Sequence, residues 1–366
     1  MDRPAAALLA PLAPWFDAVR RDLPWRAADL DAPHPDPYGV LVSEIMLQQT
    51  QVATVIPYFQ RWMARFPDAA ALAAASEDEV HALWAGLGYY RRARNLQAAA
   101  RAIAAGGFPR ELAGLLELPG LGPYTAAAVA AQAFQAPEPA LDGNAFRVTA
   151  RLLGLRDDPR RRAAELRAWL IPALRAHGPS RMTQAIMELG ATLCVPAPRC
   201  AACPVAAGCE ARRLGLQGEI PPAQPRAKVT EVELLLAAIH TPRGWLLRPP
   251  SAKGLLAGLW SWPHAPVDPA GAAETPAPFG WEATVLPGWV QVYTHRRETI
   301  RPLVARVPAL EAPAGLAWVP EERLPSLPMG RRDQRLRSLL DGPRALLAPA
   351  GSDWRALADL LEPQKR

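Results

Sequence analysis

Lysine is nearly absent from this chain. Of 41 basic side chains in 366 residues only Lys228, Lys253 and Lys365 are lysine, and none precedes position 228. With alanine and proline abundant as well, the bias reads as codon usage, so arginine position carries more information than arginine number. Cysteine is also scarce. Four residues are too few for a disulfide scaffold. No apolar run reaches the roughly 18 residues needed to span a bilayer. The apolar opening stretch 5–13 follows Asp2 and is broken by Pro4, Pro11 and Pro14, so no secretory signal is expected and the expected location is cytoplasmic. At 50% hydrophobic and 21% charged, the composition excludes a disordered or fibrous chain. The net charge of +6 is a mild hint of a polyanionic partner, split evenly between residues 1–215 and 216–366.

At about 150 residues per domain, the length predicts two domains or slightly more. Residues 12–213 read as helix after helix. Ser76 and Glu79 form a capping box ahead of 80–84, Leu96, Ala100 and Ile103 recur at helical spacing, and Met182, Ile186, Leu189 and Leu193 mark one apolar face. Pro and Gly between 214 and 229 predict a linker. Beyond it, 232–236 and 245–247 flank Thr241-Pro242-Arg243-Gly244, a hairpin signal. Further strands are predicted at 290–293 and 303–307, a helix at 333–340, and a mobile Pro/Ala-rich loop at 264–280. The expected architecture is multidomain: an all-α domain over 1–213, the linker 214–229, an α+β domain over 230–345 and a helical tail over 346–366.

All four cysteines crowd into sixteen positions, as Cys194-x5-Cys200-x2-Cys203-x5-Cys209. Thiolates suit iron–sulfur clusters and zinc. One short pair flanked by two lone cysteines favours a 4Fe–4S cluster over zinc, which commonly takes two short pairs far apart. Buried, unliganded thiols are the remaining alternative. Arg199, Arg212 and Arg213 lie close by, either as phosphate contacts or as solvated surface. Upstream, Leu118-Pro119-Gly120-Leu121-Gly122-Pro123-Tyr124-Thr125 leads into the helix former 126–133. Two helices joined by a Gly-x-Gly turn can present backbone N–H groups to a phosphate, or form an ordinary turn.

This hairpin, Leu141-Asp142-Gly143-Asn144 some 20 residues on, and the cysteine loop together resemble the helix-hairpin-helix DNA glycosylases that carry an iron–sulfur cluster. Asp22–Arg26, Val42–Val52 and Gly86–Leu96 narrow the resemblance, which spans about 15–213, to the MutY-type adenine DNA glycosylases. A weaker resemblance covers about 230–340. There Lys253–Trp260 and Tyr293-Thr294-His295 look like the Nudix-like recognition domain of the same enzymes. The resemblance implies a monofunctional enzyme of base-excision repair. It would remove adenine paired with 8-oxoguanine or guanine in duplex DNA, hold a 4Fe–4S cluster on Cys194, Cys200, Cys203 and Cys209, and act as a monomer without a membrane.

Cleaving the N-glycosidic bond of deoxyadenosine expels adenine as an anion unless a general acid protonates it, and the oxocarbenium-like sugar needs an anion beside it. Two carboxylates in different environments supply both. Glu44 is the expected acid, acting at N7 by the resemblance. Its apolar neighbours Val42, Ile45, Met46 and Leu47 should raise its pKa. Asp142 is the expected partner of the sugar cation, although Asp-Gly-Asn also reads as a turn and helix N-cap. Asn144 is expected to orient Asp142 or the water. Tyr124 stands where endonuclease III-like relatives place a lysine that attacks the sugar, so efficient β-lyase activity is not expected. By the resemblance, Leu87 and Tyr89 form the wedge that fills the gap left by a flipped base. Gln49 and Thr50 face the opposite strand, Arg26, Gly120 and Gly122 contact DNA, and Thr294 and His295 read the lesion. Arg91, Arg92 and Arg94 form a basic run that touches phosphate or lines a solvated helix face.

Several departures stand out. The first cysteine gap is five residues where the family usually has six. The stretch from Arg26 to Pro37 is longer than usual. Ala127 replaces a frequent Gly, and Tyr and Thr replace the Phe and Ser of the family's lesion-reading loop. The first glutamates after Gly258 are Glu274 and Glu282, far apart, so the magnesium-binding glutamate cluster of a Nudix hydrolase is not expected there and the domain should bind rather than cut. Two other functions fit less well: an endonuclease III-like pyrimidine or mismatch glycosylase, against which Tyr124 weighs, and a silent iron–sulfur DNA-binding protein, against which Glu44 and Asp142 weigh.

Overall fold

The computed structural model describes residues 3–223, 229–251, 254, 256–267, 282–293, 295–307 and 311–340. Thr294, Lys253, Leu255, most of the loop expected at 264–280 and the tail expected at 346–366 lie outside the described residues. The chain forms two compact units. One joins Met1–Ser76 to Arg92–Pro225, the other joins Glu77–Arg91 to Arg226–Arg366.

The described helices are, in chain order, α1 (Ala5–Leu9), α2 (Leu12–Val19), α3 (Pro37–Leu47), α4 (Val52–Arg65), α5 (Ala69–Ala74), α6 (Glu77–Trp84), α7 (Arg91–Gly106), α8 (Leu112–Glu117), α9 (Pro123–Phe134), α10 (Gly143–Leu153), α11 (Ala163–His177), α12 (Pro179–Thr192), α13 (Glu210–Arg213) and α14 (Arg331–Leu340). None is long and apolar enough to cross a membrane. Among its described residues the first unit has helices and no strand. One of its cores gathers Leu9, Leu12 and Phe16 with Val148, Leu152, Leu166, Leu170, Met182, Ile186 and Leu189 from α10, α11 and α12. The apolar period read in 182–189 is thus the face of α12 turned inward. α3 packs on α9, whose buried alanines 126–128, 130, 131 and 133 allow close approach. α3 starts sharply because Asp36 caps it, accepting from Gly39 N at 2.9 Å, with Pro37 at the first helical position.

The second unit is a seven-stranded mixed sheet with α6 and α14. Its strands are β1 (Thr230–Thr241), β2 (Gly244–Leu247), β3 (His264–Pro266), β4 (Glu282–Val285), β5 (Trp289–Val292), β6 (Arg296–Arg306) and β7 (Ala317–Val319). The order is β4-β6-β1-β2-β7, with β3 on β1 and β5 on β6. β1 runs parallel to β6 from Thr230↔Arg296 to His240↔Arg306, and the other pairings are antiparallel. Both faces are covered. Leu234, Leu236 and Ala238 pack with Trp262, Ile300 and Leu336, whereas Leu235, Ala237 and Ile239 pack with Leu303 and Ala305. The segment after α6 belongs here. The Tyr90 hydroxyl donates to Met329 O (3.1 Å) and Arg331 Nη2 donates to Gly86 O (2.9 Å).

The β1–β2 turn closes through Gly244. Its φ is +109°, and a Cβ there would lie 2.2 Å from Val319 O on β7. Gly244→Ala should therefore lower stability by about 1–3 kcal/mol, read as a lower denaturant midpoint at unchanged slope; an unshifted midpoint would show that the turn and β7 adjust freely.

Candidate active site

Glu44 sits in the last turn of α3 and is buried. Two side chains of α9 reach it. Gln132 Nε2 donates to Oε1 (2.7 Å), and the Tyr124 hydroxyl lies 3.1 Å from Oε2. Burial dominates its titration. Desolvation pushes the Glu44 carboxyl up, the nearby charge of Asp142 pushes the same way, and the bonds from Gln132 and Tyr124 only partly oppose this. The Tyr124 hydroxyl is pushed well above its ordinary value by burial and then by the charges of Glu44 and Asp142, so it stays a neutral donor.

Asp142 caps α10 and accepts from Ala145 N at 2.7 Å. The cap fixes the carboxylate at the helix N-terminus, where the macrodipole favours negative charge. The capping role and a site role coexist in one residue. Both Glu44 and Tyr124 feel its charge, so Glu44, Tyr124 and Asp142, spread over 98 positions, belong to one electrostatic group. Asn144 is held by Arg147, whose Nη2 donates to Asn144 Oδ1 (2.8 Å) and Gly190 O (2.9 Å) and whose Nε donates to Cys194 O (2.8 Å).

Arg26 is part-buried, its guanidinium turned onto neighbouring groups of the protein. Its Nε donates to Gln184 Oε1 (2.7 Å), its Nη1 to Arg21 O (2.6 Å), and its Nη2 lies 3.4 Å from Glu188 Oε2. Arg21 donates to both Glu188 oxygens, at 2.7 and 3.1 Å. Ser180 Oγ accepts from Gln184 Nε2 (3.1 Å), which fixes the amide so that its oxygen faces Arg26. Met187, beside Glu188, contacts the Tyr124 hydroxyl through Sδ at 4.0 Å.

Sequence reasoning missed Gln132, Gln184 and Glu188. Each left a signal: Gln132 is the one polar residue in 126–133, and Gln184 and Glu188 sit four apart within the apolar repeat of α12. Arg92 corrects an expectation. It is buried and donates to backbone carbonyls, so it is not a phosphate contact. Leu87 is also buried, at 6% exposure, while Tyr89 is 49% exposed with φ +50°. Of the expected wedge pair, only Tyr89 is presented. Gly120 has φ +83°, and a Cβ there would meet Asn95 Cβ at 2.5 Å; Gly122 precedes α9, and no side chain caps that helix. His295 lies in the β5–β6 connection, which Tyr293 N closes on Arg296 O at 2.7 Å.

Cys194, Cys200, Cys203 and Cys209 line one recess with Val148, Leu152, Leu189 and Val205. Burial pushes the Cys203 thiol up to about 11 and Cys209 in the same direction. Arg151 is buried beside them and has no carboxylate partner among the described residues. It donates to Ile220 O (2.8 Å), Val195 O (2.6 Å), Pro196 O (3.0 Å) and Cys194 O (3.3 Å), with Cys194 Sγ at 3.5 Å.

Residues 42–172 match the model of the HhH-GPD superfamily base excision DNA repair proteins, a span holding Glu44, the glycine hairpin and Asp142. The chain is 38% identical to the adenine DNA glycosylase of Arabidopsis thaliana over 292 residues, 69% of this chain and 46% of that protein. It is 36% identical to that of Mus musculus over 312 residues, 71% and 60%. It is 44% identical to that of Mycolicibacterium smegmatis over 200 residues, 53% and 66%. The chain belongs to the MutY-type branch of the HhH-GPD superfamily. It spans about half the length of the first of these relatives and 60% of the second. Glu44 and Asp142 both lie in the matched segment.

A carboxyl whose pKa is raised by folding binds its proton more tightly in the folded than in the unfolded chain. Its contribution to stability is therefore lost as pH rises through the folded pKa. Glu44→Gln keeps the shape and cannot ionise. It should raise the thermal midpoint by about 2–4 °C at mildly alkaline pH, with the gain shrinking below the ordinary carboxylate range; a gain independent of pH would contradict the assigned burial effect.

Proposed function

We propose that this chain excises adenine mispaired with 8-oxoguanine, or with guanine, from duplex DNA. The observation that carries this is the buried Glu44 carboxyl, coupled to Asp142 across Tyr124. In the proposed reaction the proton of Glu44 passes to N7 of an extruded adenine. The C1′–N9 bond then breaks with the electron pair leaving on a neutral base, and Asp142 stabilises the sugar cation until water adds at C1′. Tyr124 and Gln132 hold the acid in place. Arg26, Gln184 and Glu188 offer donors and acceptors suited to the polar edge of the base. Asn144 is tied to Arg147 and so orients the start of α10.

Gly120, Gly122, Gln49, Thr50 and Tyr89 are assigned to the duplex, with backbone N–H groups of the hairpin meeting phosphate. The sheet unit is assigned as a Nudix-like lesion reader through Thr294 and His295. The four cysteines are assigned to a 4Fe–4S cluster, and the residues present fit it. No three potential ligands among the described residues converge on a single-ion site. Four thiols spread around one recess suit a polynuclear group taking one thiolate per iron better than zinc. The unpaired charge of buried Arg151 calls for an anionic neighbour, which the thiolate-bound cluster supplies. When bound, the cluster would tie the 194–209 loop together; no step of the reaction runs through it.

Single-turnover assays on duplexes with adenine opposite 8-oxoguanine, adenine opposite guanine, a thymine mismatch or an oxidised pyrimidine test the proposal. Cleavage is expected for the two adenine duplexes, with Glu44→Gln abolishing turnover while duplex binding survives. Borohydride should trap little covalent adduct, since no lysine precedes Lys228. Preferential cleavage of the pyrimidine duplex, or binding with no cleavage of any, would overturn the assignment.

A further inference from the structure

α3 ends at Leu47, and the chain turns at once into Gln48, Gln49 and Thr50. Gln49 adopts φ +57°, a left-handed conformation uncommon for a residue other than glycine, asparagine or aspartate. Such a conformation persists only where its surroundings over-determine it. Here they do. Arg92, from the first turn of α7, is buried. Its Nη1 donates to Ile45 O (3.0 Å), Met46 O (2.8 Å) and Gln48 O (2.5 Å), and its Nη2 to Thr50 Oγ1 (3.3 Å). The carbonyls at a helix C-terminus have no partners within the helix and carry the negative end of its dipole, so a buried guanidinium is well matched to them. A second tie, Gln48 Nε2 to Thr125 Oγ1 (3.1 Å), fixes the same turn to α9 beside Tyr124.

We propose that Arg92 is a positioning residue that sets the left-handed turn at Gln49, and through it the surface that Gln49 and Thr50 offer to the duplex, a role that rests on the DNA-binding function proposed above. The planar fork of arginine spans several acceptors at once, and a lysine ammonium cannot. Arg92 therefore acts on duplex recognition without touching the base. The proton on Glu44 is governed by burial, Gln132 and Tyr124.

Two measurements on the full chain separate the clamp from the function. The first uses no DNA. Gln49→Gly removes the left-handed penalty and should raise the thermal midpoint by about 2 °C. In an Arg92→Met background, or Arg92→Lys should that variant fail to fold, the turn relaxes and most of this gain should vanish. An equal gain in both backgrounds would overturn the clamp. The second measures affinity for a duplex with adenine opposite 8-oxoguanine. Arg92→Lys should weaken it roughly ten-fold, with the basic limb of the pH–rate profile at its parental position. A lower midpoint with parental affinity would reduce Arg92 to a purely structural role. Should the parent chain bind this duplex no better than an undamaged one, the DNA-binding function fails while the first measurement still decides the clamp.

Discussion

A carboxyl group withheld from water sets the terms for the rest of this structure. Ionised, Glu44 would need strong compensation; neutral, it needs only an amide donor and a hydroxyl, which α9 supplies. That arrangement requires α3 and α9 to approach closely, and the alanines of α9 permit it. It also requires α9 to begin where Gly122 and Pro123 start it, so that Tyr124 and Gln132, eight residues apart, meet the same carboxyl. The apolar interior serves stability and also raises the pKa of one carboxyl. The second carboxylate is treated oppositely: Asp142 sits at a helix N-terminus with a backbone N–H bound to it.

Arginine organises the surroundings of this pair, and mostly from within. Arg92 and Arg151 are buried and Arg26 is part-buried, and each spans several acceptors: Gln184, Glu188 and Arg21 for Arg26, the end of α3 for Arg92, the cysteine loop and Ile220 for Arg151. A lysine could not make these multiple contacts. The scarcity of lysine therefore sits easily with a fold whose loops are tied by guanidinium groups.

Much of this was legible in the sequence, and the failures have physical causes. The apolar period of 182–189, the hairpin signal around Gly244 and the crowded cysteines each depend on local rules, and each is where those rules place it. Glu44 and Asp142 stood out through the motifs that carry the family resemblance; taken alone, a glutamate in a helix and an Asp-Gly-Asn turn have ordinary local readings. Arg92 misled because a charged residue in a basic run ordinarily points to solvent, and only tertiary structure shows that the end of α3 lies against it. Leu87 misled because nothing in its local sequence announces that it is buried. Gln132, Gln184 and Glu188 escaped notice because a polar residue inside an apolar helix announces a partner without saying which.

The protonation state of Glu44 is the point on which the account stands most directly. Infrared difference spectra between the parent chain and Glu44→Gln, recorded across pH, isolate the carbonyl stretch of this one carboxyl. A protonated-acid band is expected to persist above the ordinary carboxylate range, into the region where adenine would have to be protonated. A band that disappears within the ordinary range of an exposed glutamate would contradict it.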